Sequence, residues 1–560
     1  MPRITFTILY VFCNCYCEHL FVFVILKGRK DMKKRILSAL LASAMAVTCL
    51  AACGEKDDSS KSASTASGAA DKTLTYAQGA DPRGLDPQIV DDGESAKVTN
   101  QIYEGLLTYA DDSTEVKPCL AKSWKVSDDG LEYTFELQEG VKFHDGTDFN
   151  AEAVKFNVER NTINKTEDMT YADFVWGYVA KCDVVDASTV KITLKQPSTP
   201  FLANLAMVFG APMVSPTAAK EGDLMNNPVG TGPYKFVSWD KGQDVKLVAN
   251  DDYWNEDGKA KTKNVVIRTI EDASTKIAEL QSGDVDMIDG IDTNQVKVLE
   301  SDTNIKVNKT PGMNINYMAY NIERIDAETR KALSQAVNVE ELVKALYGDF
   351  AEKATTVLPT FIPGYSKDVT QVSYDPDAAK KTLADKGIKK VHVITYTNPR
   401  PYNTVTGQTL TEAIQGYFSK VGVECKIDSY DWTTYKEKTI NGDYDICFYG
   451  WSGDNGDPDN FMNLMSDTNA GMNVARFNLA KNDDDKAAYK EYSQMISDAA
   501  KEPAGDSRNA MYAKMEQYVA DKSIWLPISH QQDLTACRSN INDFFYHCTA
   551  TVKLWMVTKD

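Results

Sequence analysis

The sequence predicts a mixed α/β fold in a chain long enough for two or three domains, and three observations carry that prediction. Short segments alternating apolar and polar residues with period two are interleaved with segments of helical periodicity. Apolar residues make up 43% of the 560 positions, enough for sizeable cores at about 100–200 residues per domain. From Leu74 onward there is no short-period repeat and no low-complexity stretch.

The elements follow in order. Residues 133–137 (Tyr-Thr-Phe-Glu-Leu) and 190–194 (Val-Lys-Ile-Thr-Leu) alternate as half-buried strands do. Ala332, Ala336, Val337, Leu342, Val343 and Leu346 form an apolar helical face. Residues 409–418 read as a helix leading into a strand at 421–427, and residues 445–449 (Asp-Ile-Cys-Phe-Tyr) as a buried strand.

The N-terminal part is of a different kind. Met32-Lys33-Lys34-Arg35 precedes an apolar run from Ile36 to Leu50, followed by Ala51-Ala52-Cys53-Gly54. The run is too short to cross a hydrocarbon core of about 30 Å at about 1.5 Å per residue, so it reads as the apolar part of a secretory signal. Leu50-Ala51-Ala52-Cys53 resembles a bacterial lipobox, which implies that Cys53 becomes the lipidated first residue of the mature chain. Residues 1–31 read as an overextended gene start, with translation beginning at Met32, and their Cys13, Cys15 and Cys17 are weak as a metal site because there is no second cluster at ligand spacing. Residues 53–73 carry no aromatic residue and no aliphatic one larger than alanine, so they form a coil tether with ends roughly 25 Å apart.

Charge and cysteine usage narrow the partners. Beyond residue 52 the chain holds 54 Lys and Arg against 78 Asp and Glu, a net charge of −24. Such a field repels phosphate backbones and excludes nucleic acid as a partner, and it disfavours adsorption to anionic lipid, so membrane attachment falls to the covalent anchor. Cys119, Cys182, Cys425, Cys447, Cys537 and Cys548 are scattered, unlike a disulfide scaffold, and the pattern leaves their pairing open.

No catalytic constellation stands out. His144, His392, His530 and His547 are isolated from one another, and neither H-E-x-x-H nor G-x-S-x-G occurs. Gly230-Thr231-Gly232-Pro233-Tyr234 lacks the rest of a phosphate loop and reads as a structural turn. The run from Asp454 to Asp459 superficially resembles a calcium loop, but Met465 stands where the bidentate glutamate belongs. The expectation is therefore a binding protein without cofactor or metal, not an enzyme.

Several runs resemble family 5 extracellular solute-binding proteins of ABC importers. They are Ala121-Lys122-Ser123-Trp124, residues 127–135, Gly140 to Gly146, 151–160, 228–234, Asn250 to Trp254, Gly283-Asp284-Val285-Asp286 and Arg330-Lys331-Ala332-Leu333. The resemblance implies a two-lobed, periplasmic-binding-protein-like α/β fold (type II, cluster C) with an extra inserted domain and the ligand cleft between lobes. On that model residues 74–100, 226–313 and 531–560 form domain I, 101–225 the inserted, signature-bearing domain II, and 314–530 domain III. Hinge crossings are expected near 314–321 and 526–531, and His144 is expected to be a structural signature residue.

The run from Gly450 to Phe461 is similar to the dipeptide-binding branch of that family. The resemblance implies that Asp454 holds a peptide α-ammonium, with Gly450, Trp451, Ser452 and Gly453 beside it. A desolvated ammonium needs a carboxylate and hydrogen bonds, and Gly453 admits close backbone approach. Arg400 and Tyr402 match the branch's R-P-Y element, implying an α-carboxylate fork at Arg400, to which a guanidinium is suited. By the same resemblance Trp432, Gly84 and Leu85 line the cleft. Leu85 replaces an aromatic residue of that branch.

The implied partners are a short peptide and the permease of an ABC importer with its cytoplasmic ATPases. The implied place is outside the cytoplasmic membrane, where a monomer is held by its lipid anchor. Haem, a nickel chelate or another small solute stays open as ligand, as does a surface hydrolase or adhesin as a different class. N-terminal sequencing of the unprocessed protein is expected to start at Met32, and any peptide from upstream overturns that start.

Overall fold

The computed structural model describes residues 72–467, 469 and 471–560. The readings placed on residues 1–31, on the signal segment, on Cys53 and on the tether up to residue 71 lie outside the described residues. The alternating segments at 133–137 and 190–194 are the strands Glu132–Leu137 and Thr189–Leu194. They form the centre of a four-stranded antiparallel sheet flanked by Ala121–Val126 and Val179–Asp186. Tyr133, Phe135, Val190 and Ile192 are buried, and so are Val154 and Val158 of the helix Ala151–Asn161, all in one apolar cluster. The Asn150 side chain starts that helix by accepting from the Ala153 N–H.

Two expected elements shift, each for a local reason. The apolar face from Ala332 to Leu346 belongs to two helices, Ala327–Gln335 and Val339–Tyr347, because the Asn338 side chain accepts from the Glu341 N–H at 3.2 Å and begins the second. The strand expected at 421–427 is Glu424–Tyr430. Its start is delayed by Gly422, at φ 84°, in the turn that follows the helix Gly407–Lys420.

The largest sheet is built around the 14-residue strand Trp525–Arg538. Its first half pairs with Asn314–Tyr320 and Ala351–Lys353, and its second half with Ile305–Pro311 and Met287–Asp289, all antiparallel. From Asn314–Tyr320 the sheet continues through Ile446–Ser452, Lys390–Tyr396 and Glu424–Tyr430. From Met287–Asp289 it continues through Thr73–Gln78, Asn264–Thr269, Asp244–Ala249 and Tyr234–Asp240.

The first half, around Thr73–Gln78, and the second half, around Asn314–Tyr320, have separate apolar cores. Where they meet, two chain segments cross side by side. Asn314 Nδ2 donates to the Gln531 carbonyl at 3.0 Å, and the Gln531 N–H donates to Asn314 Oδ1 at 2.7 Å. Gly312 is required there, since a Cβ would stand 2.7 Å from the same Gln531 carbonyl.

The core of the second half contains a buried ion pair. Arg330 has no solvent exposure and forks onto both Asp485 oxygens at 3.0 and 2.8 Å, while also donating to the carbonyls of Ile325, Lys522 and Ser523. Burial pushes the Asp485 carboxyl up, and hydrogen bonds from Arg330 and Asn482 bring it below its ordinary range. Arg330→Met is expected to destabilise the protein by about 3–5 kcal/mol, because it strands Asp485 and three carbonyls. Chemical denaturation of the two proteins measures this.

Candidate functional site

The strand Ile446–Ser452 delivers the site. Its first residues Ile446, Cys447 and Phe448 are buried, which fixes the register that carries Gly450 to Gly453 toward the end of the strand. Lys390–Tyr396 pairs with it only at Val393 with Ile446 and Ile394 with Cys447. The outer edge from 448 to 452 therefore has no strand partner among the described residues, and there the Phe448 carbonyl accepts from the buried Tyr435 hydroxyl.

Asp454 follows this strand. Its Oδ1 accepts from the Tyr171 hydroxyl at 2.6 Å and its Oδ2 from Asn460 Nδ2 at 3.2 Å. Asn460 also accepts, on its own Oδ1, from the Asp454 N–H at 3.0 Å and from Trp451 Nε1 at 2.9 Å, so one amide sets both neighbours. No cation among the described residues pairs with Asp454. Burial raises its pKa, and the hydrogen bonds from Tyr171 and Asn460 oppose the rise.

The loop beyond is fixed by a buried pair. Arg508 forks onto Asp457 at 2.7 Å on both oxygens. Asp459 rises to about 7, from burial and from the Asp457 charge beside it. A cavity of about 870 Å³ adjoins this loop, lined by Gly456, Asp457 and Arg508 and by Tyr133 and Leu202 of the four-stranded sheet's domain.

Arg400 sits in a tight bend closed by two backbone hydrogen bonds with Asn403, at 2.9 and 2.8 Å. Pro399 and Pro401 flank it, lack N–H donors and cannot extend the sheet. Its guanidinium lies 3.9 Å over the Trp432 ring, and its Nε is buried without a hydrogen-bond partner. Beneath, Asn403 is held by the Tyr347 and Tyr396 hydroxyls at 2.6 and 2.9 Å. Trp432 is at once a core aromatic, packed on Tyr396, Tyr435 and Tyr449, and the platform under Arg400.

Tyr402 stacks on Tyr449 and covers Gly450, where a Cβ would collide with the Tyr402 ring and stand 2.5 Å from the Ile315 carbonyl. The Arg400 bend is thereby seated on the strand that leads to Asp454. Gly453 donates to the Met313 carbonyl at 2.7 Å, and a Cβ on it would meet the Phe461 ring at 2.7 Å. Ser452 is exposed and Trp451 half-buried.

Gly84 and Leu85 are placed differently from the rest. Leu85 is fully buried in the core of the first half of the sheet, and Gly84 packs on the Met225 side chain. Leu85 is core where the sequence reading had it lining the cleft, because its N–H is held by the Met225 carbonyl and its side chain turns inward.

Tyr171 and Asn460 escaped the sequence reading. Asn460 lies six residues after Asp454, within the same motif, so its spacing was visible. Tyr171 is 283 residues away from Asp454 and gives no local signal. His144 holds the Gly232 carbonyl at 2.9 Å, and burial lowers its pKa to about 4, so it bonds as a neutral structural group. Gly230 and Gly232 lie against the Ile102 carbonyl, a close approach that only glycine permits. Among the described residues no cluster of His, Cys, Asp or Glu is arranged to hold a metal, and no helix is long and apolar enough to cross a membrane.

Two lobes sharing one strand, with a carboxylate and a guanidinium that lack counter-ions among the described residues, have the architecture of a solute-binding protein of the periplasmic type. The chain belongs to the bacterial extracellular solute-binding proteins, family 5, whose family model matches residues 115–473. It is 30% identical to the heme-binding protein A of Haemophilus influenzae, over 88% of this chain and 94% of that one. It is equally 30% identical to the dipeptide-binding protein of Escherichia coli, over 84% and 92%. The solved structure of DppA from Helicobacter pylori in complex with the peptide STSA aligns at 30% identity and a TM-score of 0.70, covering 87% of this chain and 98% of that one. This is a family of extracytoplasmic substrate-binding proteins of ABC importers, not of enzymes.

Gly450→Ala is expected to destabilise the protein by about 1–3 kcal/mol, because the Ile315 carbonyl is backbone and cannot move aside. A lowered midpoint of thermal unfolding checks this.

Proposed function

We propose that this protein captures di- and oligopeptides, short ones preferred, and delivers them to the permease of an ABC importer. The observation that carries the proposal is the pair of unmatched charges. Asp454 is a desolvated carboxylate oriented by two neutral donors, and Arg400 is a guanidinium stacked on Trp432 with a buried, unpartnered Nε. Burying one charge without a partner is costly, and a zwitterion with an α-ammonium and an α-carboxylate offsets both costs at once.

The segments that carry the two charges are neighbours: Tyr402, two residues from Arg400, covers Gly450, and Gly450 precedes Asp454 by four residues. Between the ends of the peptide, the open edge at 448–452 adds main-chain hydrogen bonds that do not discriminate side chains. The crossing at Gly312 and Gln531 is the hinge in this reading, with 74–100, 226–313 and 531–560 on one side and 314–530 on the other. Lobe closure then buries the peptide and presents a changed surface to the permease. Lipidated Cys53 and its tether keep the binding body, as a monomer, beside that permease.

Removing either charge is expected to cost about 2–5 kcal/mol of binding free energy, on the order of 30-fold to several-thousand-fold in Kd. Titration calorimetry of Ala-Ala with Asp454→Asn and with Arg400→Ala measures it, and unchanged affinity in either removes that residue from the site. Affinity is also expected to fall as the pH drops through the raised Asp454 pKa, since only the ionised carboxylate pairs with an ammonium. Mass spectrometry of ligand co-purified with the native protein is expected to show short peptides. Haem found there instead would overturn the proposal in favour of the other relative's ligand.

A further inference from the structure

A further charge stands without a counter-ion among the described residues, at the crossing of the two lobes. Asp533 lies on the shared strand two residues after Gln531, opposite Thr310 of the strand Ile305–Pro311. Residues i and i+2 of a strand share a face. On that face Gln531 Oε1 accepts from Thr404 Oγ1 at 3.2 Å, in the segment that carries Arg400. Gly312, at the crossing, has no side chain to cover the carboxylate, and a Cβ there would stand 3.2 Å from Asp533 Oδ2. The next residue, Met313, takes the Gly453 N–H on its carbonyl at 2.7 Å, and Asp454 follows Gly453. Asp533 is therefore a half-buried carboxylate beside both segments that carry the proposed ligand charges.

The charges around Asp533 do not compensate it. From the helix Gly93–Ile102, Lys97 directs its three N–H groups to both Glu94 oxygens, at 3.0 and 3.1 Å, and to Asp289 Oδ2. From the helix Ala273–Ser282, Lys276 donates to the Asp289 carbonyl at 2.7 Å and lies 3.5 Å from Asp289 Oδ1. The Tyr76 hydroxyl also donates to Asp289, at 2.7 Å. Tyr546 and Cys548 face Asp533 from the C-terminal segment, and burial raises the pKa of each, which keeps both neutral. The ammonium groups of Lys97 and Lys276 thus stand against three carboxylates, Glu94, Asp289 and Asp533. Of the three, Asp533 is the one whose side chain has no hydrogen bond or ion pair among the described residues. Burial raises its pKa to about 7, with Lys97 opposing the rise and Asp289 adding to it.

We infer that Asp533 is a specificity-determining residue for peptides that carry a second positive charge, a lysine or arginine side chain, which it pairs at the lobe crossing. The inference rests on the reading of this protein as a peptide receptor and extends it from the peptide's termini to one of its side chains. An ammonium or guanidinium brought against Asp533 supplies the charge that the two lysines leave missing and the donor that no protein group offers. With a neutral side chain in that place, the carboxyl takes up a proton instead. A basic peptide therefore expels that proton on binding, and its advantage over a neutral peptide weakens as the pH falls below about 7, because only the ionised carboxylate pairs with a cation.

The test compares wild type and Asp533→Asn as full chains, by titration calorimetry with Ala-Ala, with Lys-Ala and Ala-Lys, and with the norleucine counterparts of the last two, which keep the stem without the charge. Asparagine has the shape of aspartate, and thermal unfolding together with retained Ala-Ala binding verifies the fold. Wild type is expected to bind one or both lysine dipeptides about 10- to 100-fold more tightly than the norleucine counterparts, the scale of a hydrogen bond between charged groups, and Asp533→Asn is expected to abolish that preference. Near pH 7, titrations in two buffers of different ionisation enthalpy are expected to show more proton release for the preferred lysine dipeptide than for its norleucine counterpart in wild type, and equal release in the variant. A lysine preference that survives Asp533→Asn, or no such preference in a wild type that binds Ala-Ala, overturns this inference and leaves the peptide reading standing. Equal weakening of Ala-Ala and of the lysine dipeptides by Asp533→Asn overturns it too, since the carboxylate then serves the fold or the ligand's main chain. A wild type that binds no dipeptide overturns the peptide reading and this inference with it.

Discussion

The strand Trp525–Arg538 belongs to both halves of the molecule, and the reciprocal pairing of Asn314 with Gln531 locks its register at the point where it passes from one to the other. A one-residue slip there would turn every side chain of the shared strand to the opposite face, so the buried residues on both sides forbid it. Placement of the distant loops follows from that constraint. The segment after Ile446–Ser452 faces Tyr171, Asn204 and Tyr109, which belong to the domain of the separate four-stranded sheet, and meets them through side-chain and main-chain hydrogen bonds. Gly312 is the local cost, a residue without a side chain where two backbones touch.

The proposed binding groups are set where the regular structure ends. Ile446–Ser452 is buried and paired at its start and open along one edge at its finish, so the same strand supplies stiffness and then exposed main chain. Asp454 and Arg400 are each held by neutral partners, amide and hydroxyl in one case and an indole face in the other. Contrast the structural charges: Arg330 with Asp485 and Arg508 with Asp457 are matched fork to carboxylate, leaving nothing for a ligand. The distinction between matched and unmatched buried charge separates scaffold from site in this molecule.

Much of the fold was legible because it is local. Period-two alternation at 133–137 and 190–194 found two strands, and the run at 445–449 found a third, shorter than the strand Ile446–Ser452 that continues toward the site. The apolar face from Ala332 to Leu346 was legible, but its division between two helices was not, because periodicity carries through the cap at which Asn338 accepts from the Glu341 N–H. The motif around Asp454 was legible as chemistry, and so was the proline-flanked Arg400. Leu85 was not: a motif position names a residue without saying which way its side chain turns, and here it turns into the core.

The sequence by itself determined the alternation of strands and helices, the acidic balance, the family resemblance, and the two charged residues with the chemistry to hold a zwitterion. Those properties reside in residue type and short-range spacing, which the chain states directly. Only the tertiary structure decided that Asp454 and Arg400 lack counter-ions among the described residues, that Arg400 lies on Trp432, and that Tyr171 bonds Asp454 from the opposite lobe. Those depend on contacts between segments as many as 283 residues apart, and they are fixed by burial and by the shared strand, neither of which any local stretch of sequence records.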